Sequence, residues 1–244
     1  MQTVVYVDSR MRTGGLSDAS FEIDLRESVH LEAHGLRIDN CRLTNSFYTT
    51  DLGKYIYYKN GSGGIQHYSI PEQAYTGTSL AAALQTATGR TTTYNPDNNS
   101  ISQSITAGQE YLSDEALKSY ATGFPTGAMP SAPLSLNIIL GDADAGANLV
   151  WIFVKMAPYD YLFLRSRRLS VDNSHDPSGR HDVLCQIPLV KGYGAVEMSS
   201  TADGIYMKLP TDLVLRNIDF QITDYKGAVP NLRGRPLSLE ICFD

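Results

Sequence analysis

A chain of 244 residues with a hydrophobic fraction of 42%, a charged fraction of 19% and a formal net charge of -6 has the composition of an ordinary globular protein, long enough to bury a real core. The acid excess, 26 Asp plus Glu against 20 Lys plus Arg, argues against broad binding to nucleic acid or to an anionic membrane, leaving only local basic spots such as Arg165, Arg167 and Arg168. No stretch approaches the roughly 18 apolar residues of a membrane span, and residues 1–8 lack the basic and apolar regions of a signal peptide.

Cys41, Cys185 and Cys242 make no C-x-x-C metal pair and read as buried fillers or unpaired thiols in a reducing compartment. Without secretion, the sequons at Asn60 and Asn98 read as turn residues.

Along the chain, residues 3–7 form a β-branched and aromatic run that predicts an opening strand, ended by Gly14-Gly15. Phe21, Ile23 and Leu25 alternate with charged residues, and residues 35–43 do the same around Leu36 and Ile38, predicting two more strands. Residues 55–58 and 66–70 flank Asn60-Gly61-Ser62-Gly63-Gly64, which is hairpin punctuation. Residues 79–87 predict a helix, rich in Ala and Leu, with Gly89 suited to its C-cap. Strands follow at 91–94 and 100–105 around Asn95-Pro96-Asp97-Asn98-Asn99, and a second short helix is expected where Ser113 can cap Asp114, Glu115 and Ala116.

Residues 122–133, with two Gly and three Pro, predict a long loop. Leu134, Leu136, Ile138 and Leu140 alternate as a strand would, and the apolar runs 148–156 and 159–164 predict more deeply buried strands. After a polar loop at 172–182, strands are expected at 183–189 and 205–209. The chain closes on two half-buried strands, Leu213 to Ile222 and Leu237 to Phe243, separated by Asp224-Tyr225-Lys226-Gly227; they are either antiparallel neighbours or neighbours across a sandwich. Roughly a dozen strands with one or two short helices and no fixed-period repeat predict an all-β, antiparallel, jelly-roll-like β-sandwich, residues 1–244 forming one domain with elaborated loops.

Motifs for chemistry are weak. His30 and His34 are four apart, as two zinc ligands on a helix would be, but they sit between strand patterns and read as surface histidines. His175, Asp176, His181, Asp182 and Cys185 are the densest set of potential ligands or acid-base groups, in a stretch that also reads as an ordinary turn. Asp142-Ala143-Asp144-Ala145-Gly146 imitates the start of a calcium loop but has Phe153 where the twelfth-position glutamate belongs, so it reads as a turn. Phosphate-cradling, nucleophile-elbow and dinucleotide motifs are missing from the sequence. Arg165-Ser166-Arg167-Arg168 and Arg233-Gly234-Arg235 read as solvated strand ends or interface charges. The expectation is therefore no enzyme: no catalytic residue, cofactor or metal is assigned. Fifteen tyrosines, among them Tyr55, Tyr57, Tyr58, Tyr68 and Tyr75, supply either core or contact surface.

The segment Ile70-Pro71-Glu72-Gln73-Ala74-Tyr75-Thr76, the helix with Leu80 and Leu84, Tyr94-Asn95 and the strand 101–105 resemble the penton-type single jelly-roll capsid proteins of Polinton-like elements, virophages and adenovirus-related double-jelly-roll viruses. In that family a Pro-x-Gly-x-Tyr-Ser/Thr turn launches a short helix between strands; Gln73 replaces the glycine here. The Asp224 to Gly227 turn followed by the last strand is similar too, so the resemblance covers residues 66–105 and 205–243.

The resemblance implies a structural virion protein, a penton-like capsid subunit located in the virion and assembled in the host cytoplasm or nucleus. Its implied partners are copies of itself, as a homopentamer at a capsid vertex, and a neighbouring major capsid protein, with no direct nucleic-acid binding and no membrane span. The alternatives are a glycan- or receptor-binding spike or tail module using exposed tyrosines, and a hydrolase using the cluster from His175 to Cys185.

Overall fold

Strict apolar/polar alternation makes a strand with one dry face, which is stable only when a second layer covers that face. The computed structural model, which describes residues 3–31, 35–113, 116 and 117, 135–169, 181–201, 207–209 and 213–243, supplies that layer from the chain itself. One antiparallel sheet has the order β1 (Thr3–Asp8), β17 (Leu237–Phe243), β4 (Gly35–Thr44), β14 (Val196–Ser199), with β15 (Met207–Lys208) also paired to β4. The second runs β13 (Val183–Pro188), β12 (Tyr161–Arg165), β16 (Leu213–Thr223), β3 (Ser20–Leu31), β2 (Gly14–Ser17). The chain alternates between the sheets so that β1, β17, β4 and β14 face β3, β16, β12 and β13, the strand order of a jelly roll. The closing pair are thus neighbours across the sandwich.

Register decides what the two layers bury. In the first sheet Val5 pairs with Ile241, Val7 with Leu239, and Leu239 with Cys41; in the second Ile218 pairs with Ile23, Phe220 with Phe21, and Leu164 with Ile222. All of these side chains are buried. Each is worth about 1.5–3 kcal/mol of transfer free energy if it is a large aliphatic or aromatic group, so the strand pairs are held by this shared core more than by their ladders.

Residues 47–158, between β4 and β12, form a second compact unit. It contains the hairpin β5 (Tyr55–Lys59) and β6 (Ile65–Ser69) with β9 (Glu110–Tyr111), and a sheet of β10 (Ala143–Ala145), β11 (Asn148–Trp151), β8 (Ser100–Ser104) and β7 (Thr92–Asn95). Helix α1 (Gly77–Thr88) begins in a capping box between Thr76 and Ser79 and ends at Gly89, whose φ of 69° is the left-handed cap expected of glycine. Its Leu80 and Leu84 pack with Ile101, Leu149 and Trp151 in the core of this unit. Asn60 and Asn98 are turn residues: their side-chain oxygens accept from the amides of Gly64 and Ser100.

Several segments differ from the sequence pattern. Residues 136–140, expected as strand, enter a short helix, α2 (Asn137–Leu140), stopped by Gly141 at φ 71°. Leu136, Ile139 and Leu140 are buried while Ile138 is exposed, so the effective spacing is three and four rather than two. The run 148–156 is strand only to Trp151; Val154 then donates its amide to the Asn99 carbonyl and Lys155 to that of Ile139, leaving Ile152 and Phe153 in solvent. β2 and β10 lie where Gly14-Gly15 and the Asp142 to Gly146 segment suggested a break and a turn, and β14 lies between the strands expected at 183–189 and 205–209. The loop 122–133 lies outside the described residues, as does most of the second helix, although the Ser113 hydroxyl does accept from the Ala116 amide as an N-cap would.

Candidate assembly surfaces

Each sheet of the jelly roll ends in two edge strands, and an edge leaves backbone donors and acceptors unpaired and free to meet another chain. At one lateral edge β1 and β2 lie together, joined by the 3₁₀ turn Ser9–Met11 and tied to the β2–β3 turn and to β17, where Ser9 Oγ donates to Asp18 and accepts from the Leu237 amide. At the opposite edge β13 and β14 lie together, and the Ser199 hydroxyl donates to the Gln186 carbonyl at 2.6 Å.

Both edges expose apolar side chains that an isolated sandwich would hide. On the first, Val4, Tyr6, Met11 and Leu16 are exposed, Leu16 at 98%. On the second, Val190, Tyr193, Val196 and Met198 are exposed within nine residues, Val190 at 80%. β14 inverts the usual alternation: Val196 and Met198 face out while Glu197 is buried, its Oε1 accepting the Lys191 amide at 2.6 Å. Burying a carboxylate to expose a valine and a methionine works against stability unless the outer face has another surface to meet. β14 escaped the periodicity because it is only four residues long and follows Gly192 and Gly194; the alternation of Val196, Glu197, Met198 and Ser199 was the available signal.

The first edge is also concave. A groove of about 600 Å³ opens beside β1, with Tyr6, Met11, Leu25, Arg26, Arg42 and Glu240 among its walls. It owes its shape to a bulge: Asp24 pairs with Asn217 and Val29 with Leu215, so residues 25–28 stand opposite Arg216 alone. Arg26 adopts φ 65°, a left-handed backbone, and the Asp24 carboxylate accepts its amide at 2.7 Å. Asp8 accepts from both the amide and the guanidinium of Arg10 at 2.9 Å, which lowers its pKa.

Among the described residues, those singled out for chemistry do not gather. His175 and Asp176 lie outside the described residues, as do Glu32 and His34, and the side chain of His30 is likewise undescribed. Asp182 binds Arg165, His181 is exposed, and Cys185 points into the core, so these three serve different environments. Among the described residues no group of three or more His, Cys, Asp or Glu is placed to hold a metal, and Asp142 to Gly146 is the start of the β10–β11 hairpin.

Arg165 corrects the reading of its run as a solvated strand end. It is buried, with Nη1 2.6 Å from Asp182 Oδ1, Nε donating to Thr223 Oγ1 at 2.7 Å, and the guanidinium over the Phe163 ring. Arg167 and Arg168 are exposed and give their backbone amides to the Asp219 carboxylate. Arg233 reaches back to the Ser46 carbonyl at 2.9 Å.

The tyrosines expected as core or contact surface divide by position. Tyr57, Tyr58 and Tyr75 are buried and Tyr55 and Tyr68 half-buried. Tyr58 donates to Gln103, lies under Arg90 at 3.7 Å, and has its phenol pKa raised by burial. Among the described residues the tyrosines open to a partner are Tyr6, Tyr193 and Tyr225, two of them on the lateral edges.

The sequence matches no protein-family model and no curated protein. Among solved structures the chain is similar to the mavirus penton protein, at 11% identity over 100% of this chain and 99% of that one with a TM-score of 0.41. It is also similar to a chain in the cryo-electron microscopy structure of the Sputnik virophage, at 13% identity over 98% and 97% of the two chains with a TM-score of 0.49.

Proposed function

We propose that this chain is a structural virion protein, a penton-like capsid subunit that works by assembling with copies of itself at a capsid vertex. The observation that carries the reading is the pair of different apolar surfaces on opposite lateral edges of one jelly roll, Val4 to Leu16 on one and Val190 to Met198 on the other. Two unlike patches on opposite sides of a subunit make a head-to-tail contact, and repetition of that contact closes into a ring when the rotation per subunit permits. The groove beside β1 is concave, and Val190 and Tyr193 stand exposed on the turn before β14, so the turn of one copy is the natural occupant of the groove of the next. The resemblance of residues 66–105 and 205–243 to penton-type capsid proteins supports the same reading. A ring of five, the neighbouring major capsid protein as partner, and residues 1–244 acting as one subunit belong to the proposal.

Light scattering on a sizing column and electron microscopy of the purified protein test it: a discrete closed oligomer with five-fold rings is expected. Leu16→Ser and Val190→Ser should each abolish rings, and mixing the two variants should give dimers, because one intact contact per pair remains. A strict monomer at high concentration, or rings untouched by either substitution, would sink the proposal.

A further inference from the structure

Cys41 and Cys185 occupy the inner faces of different sheets, 144 positions apart in sequence, and both are buried and unpaired. β4 and β13 approach with Cα atoms within 8 Å, nearer than the roughly 10 Å between stacked sheets. Cys41 is the register partner of Ser199, and Ser199 donates its hydroxyl to Gln186, the residue after Cys185. The neighbouring Cys185 thiol, followed by burial, raises the Cys41 pKa well above its ordinary value.

We propose that Cys41 and Cys185 form a disulfide-forming site that links the two sheets behind the β13–β14 edge when the protein meets a disulfide oxidant. A Cα separation below about 7 Å is what such a bond needs, and the close approach of β4 to β13, with Ser199 bridging from the partner of Cys41 to the neighbour of Cys185, is the geometry that favours it. With glutathione disulfide as the oxidant, the Cys185 thiolate, the more accessible of the two, attacks one glutathione sulfur and a glutathione thiolate leaves. The Cys41 thiolate then attacks the Cys185 sulfur of the mixed disulfide and expels the second glutathione. The protein loses two electrons and two protons, and glutathione disulfide is reduced to two thiols. Burial and the raised Cys41 pKa make the reaction slow in the folded protein, so the pair stays reduced in a reducing compartment and closes on exposure to an oxidising one. The chemistry stands whether or not the edge assembles.

The test uses Cys242→Ser, whose hydroxyl can still donate to Asp39, so that two thiols remain. Over a time course with glutathione disulfide, the expected results are joint loss of both thiols, a mass decrease of about 2 Da, a Cys41–Cys185 linked peptide, and a higher urea midpoint that falls back on reduction. The unsubstituted chain should give the same linked peptide, which covers the case in which Cys242→Ser fails to fold, and Cys185→Ala should give none. Two thiols that remain reactive after denaturation at every glutathione ratio, a product carrying glutathione in place of the internal link, or a link that uses Cys242 would overturn the proposal.

Discussion

Ser199 on the edge strand of one sheet donates its hydroxyl to the carbonyl of Gln186 on the edge strand of the other, at 2.6 Å. This bond closes the corner of the sandwich at which the chain passes from β13 to β14. Ser199→Ala should lower unfolding stability by about 1 kcal/mol, the ordinary net value of one hydrogen bond, measured as a shift of urea midpoint at constant slope.

Arg165 and Asp182 should behave asymmetrically. Asp182→Ala leaves a buried guanidinium without its carboxylate and should cost about 3 kcal/mol. Arg165→Met removes the charge and leaves Asp182, which is partly exposed and can hydrate, so it should cost less. Equal losses in a denaturant titration would contradict this account of the pair.

Gly77 opens α1 directly beneath the Tyr94 ring, where an added Cβ would stand 2.2 Å from the ring carbon Cζ. Gly77→Ala would ordinarily favour a helix, yet here it should destabilise by about 1–3 kcal/mol because Tyr94 must leave its place and its bond to Asn99. The Gly77→Ala, Tyr94→Ala double variant should recover part of that loss, detectable by thermal melting.

Asp39 and Cys242 bracket the pH range of stability. The Cys242 thiol hydrogen bond, helped by the Arg37 guanidinium, lowers the Asp39 pKa, and Arg10 lowers that of Asp8. A depressed carboxylate stabilises the fold above its unfolded value and loses that contribution as pH falls, so stability should drop below about pH 4. Burial, then the Asp39 contact, raises the Cys242 thiol to about 11. The unfolded thiol ionises first, so stability should also decline from about pH 8.5 upward. Asp39→Asn should flatten the acid limb and Cys242→Ser the alkaline limb; an unchanged pH profile in either variant would refute that assignment.

Much of this architecture is local and was therefore legible. Asn60 to Gly64 demands a tight hairpin, Gly89 can end a helix in a left-handed conformation that costs other residues free energy, and Leu237 to Phe243 cannot be anything but a strand with one dry face. These are properties of a few consecutive residues, and a period or a turn records them directly.

Tertiary structure decided the rest, because it depends on groups far apart in sequence. Leu136 to Leu140 alternates like a strand and folds as a helical turn since its buried neighbours take Leu136, Ile139 and Leu140 together. Arg165 looks like a surface charge until Asp182 and Thr223 close on it. β14 carries its apolar residues outward because Glu197 is satisfied inside by the Lys191 amide. The sequence by itself determined an all-β sandwich; which of its apolar side chains were spent on the core, and which were left on the two edges for another surface, only the pairing of distant strands could decide.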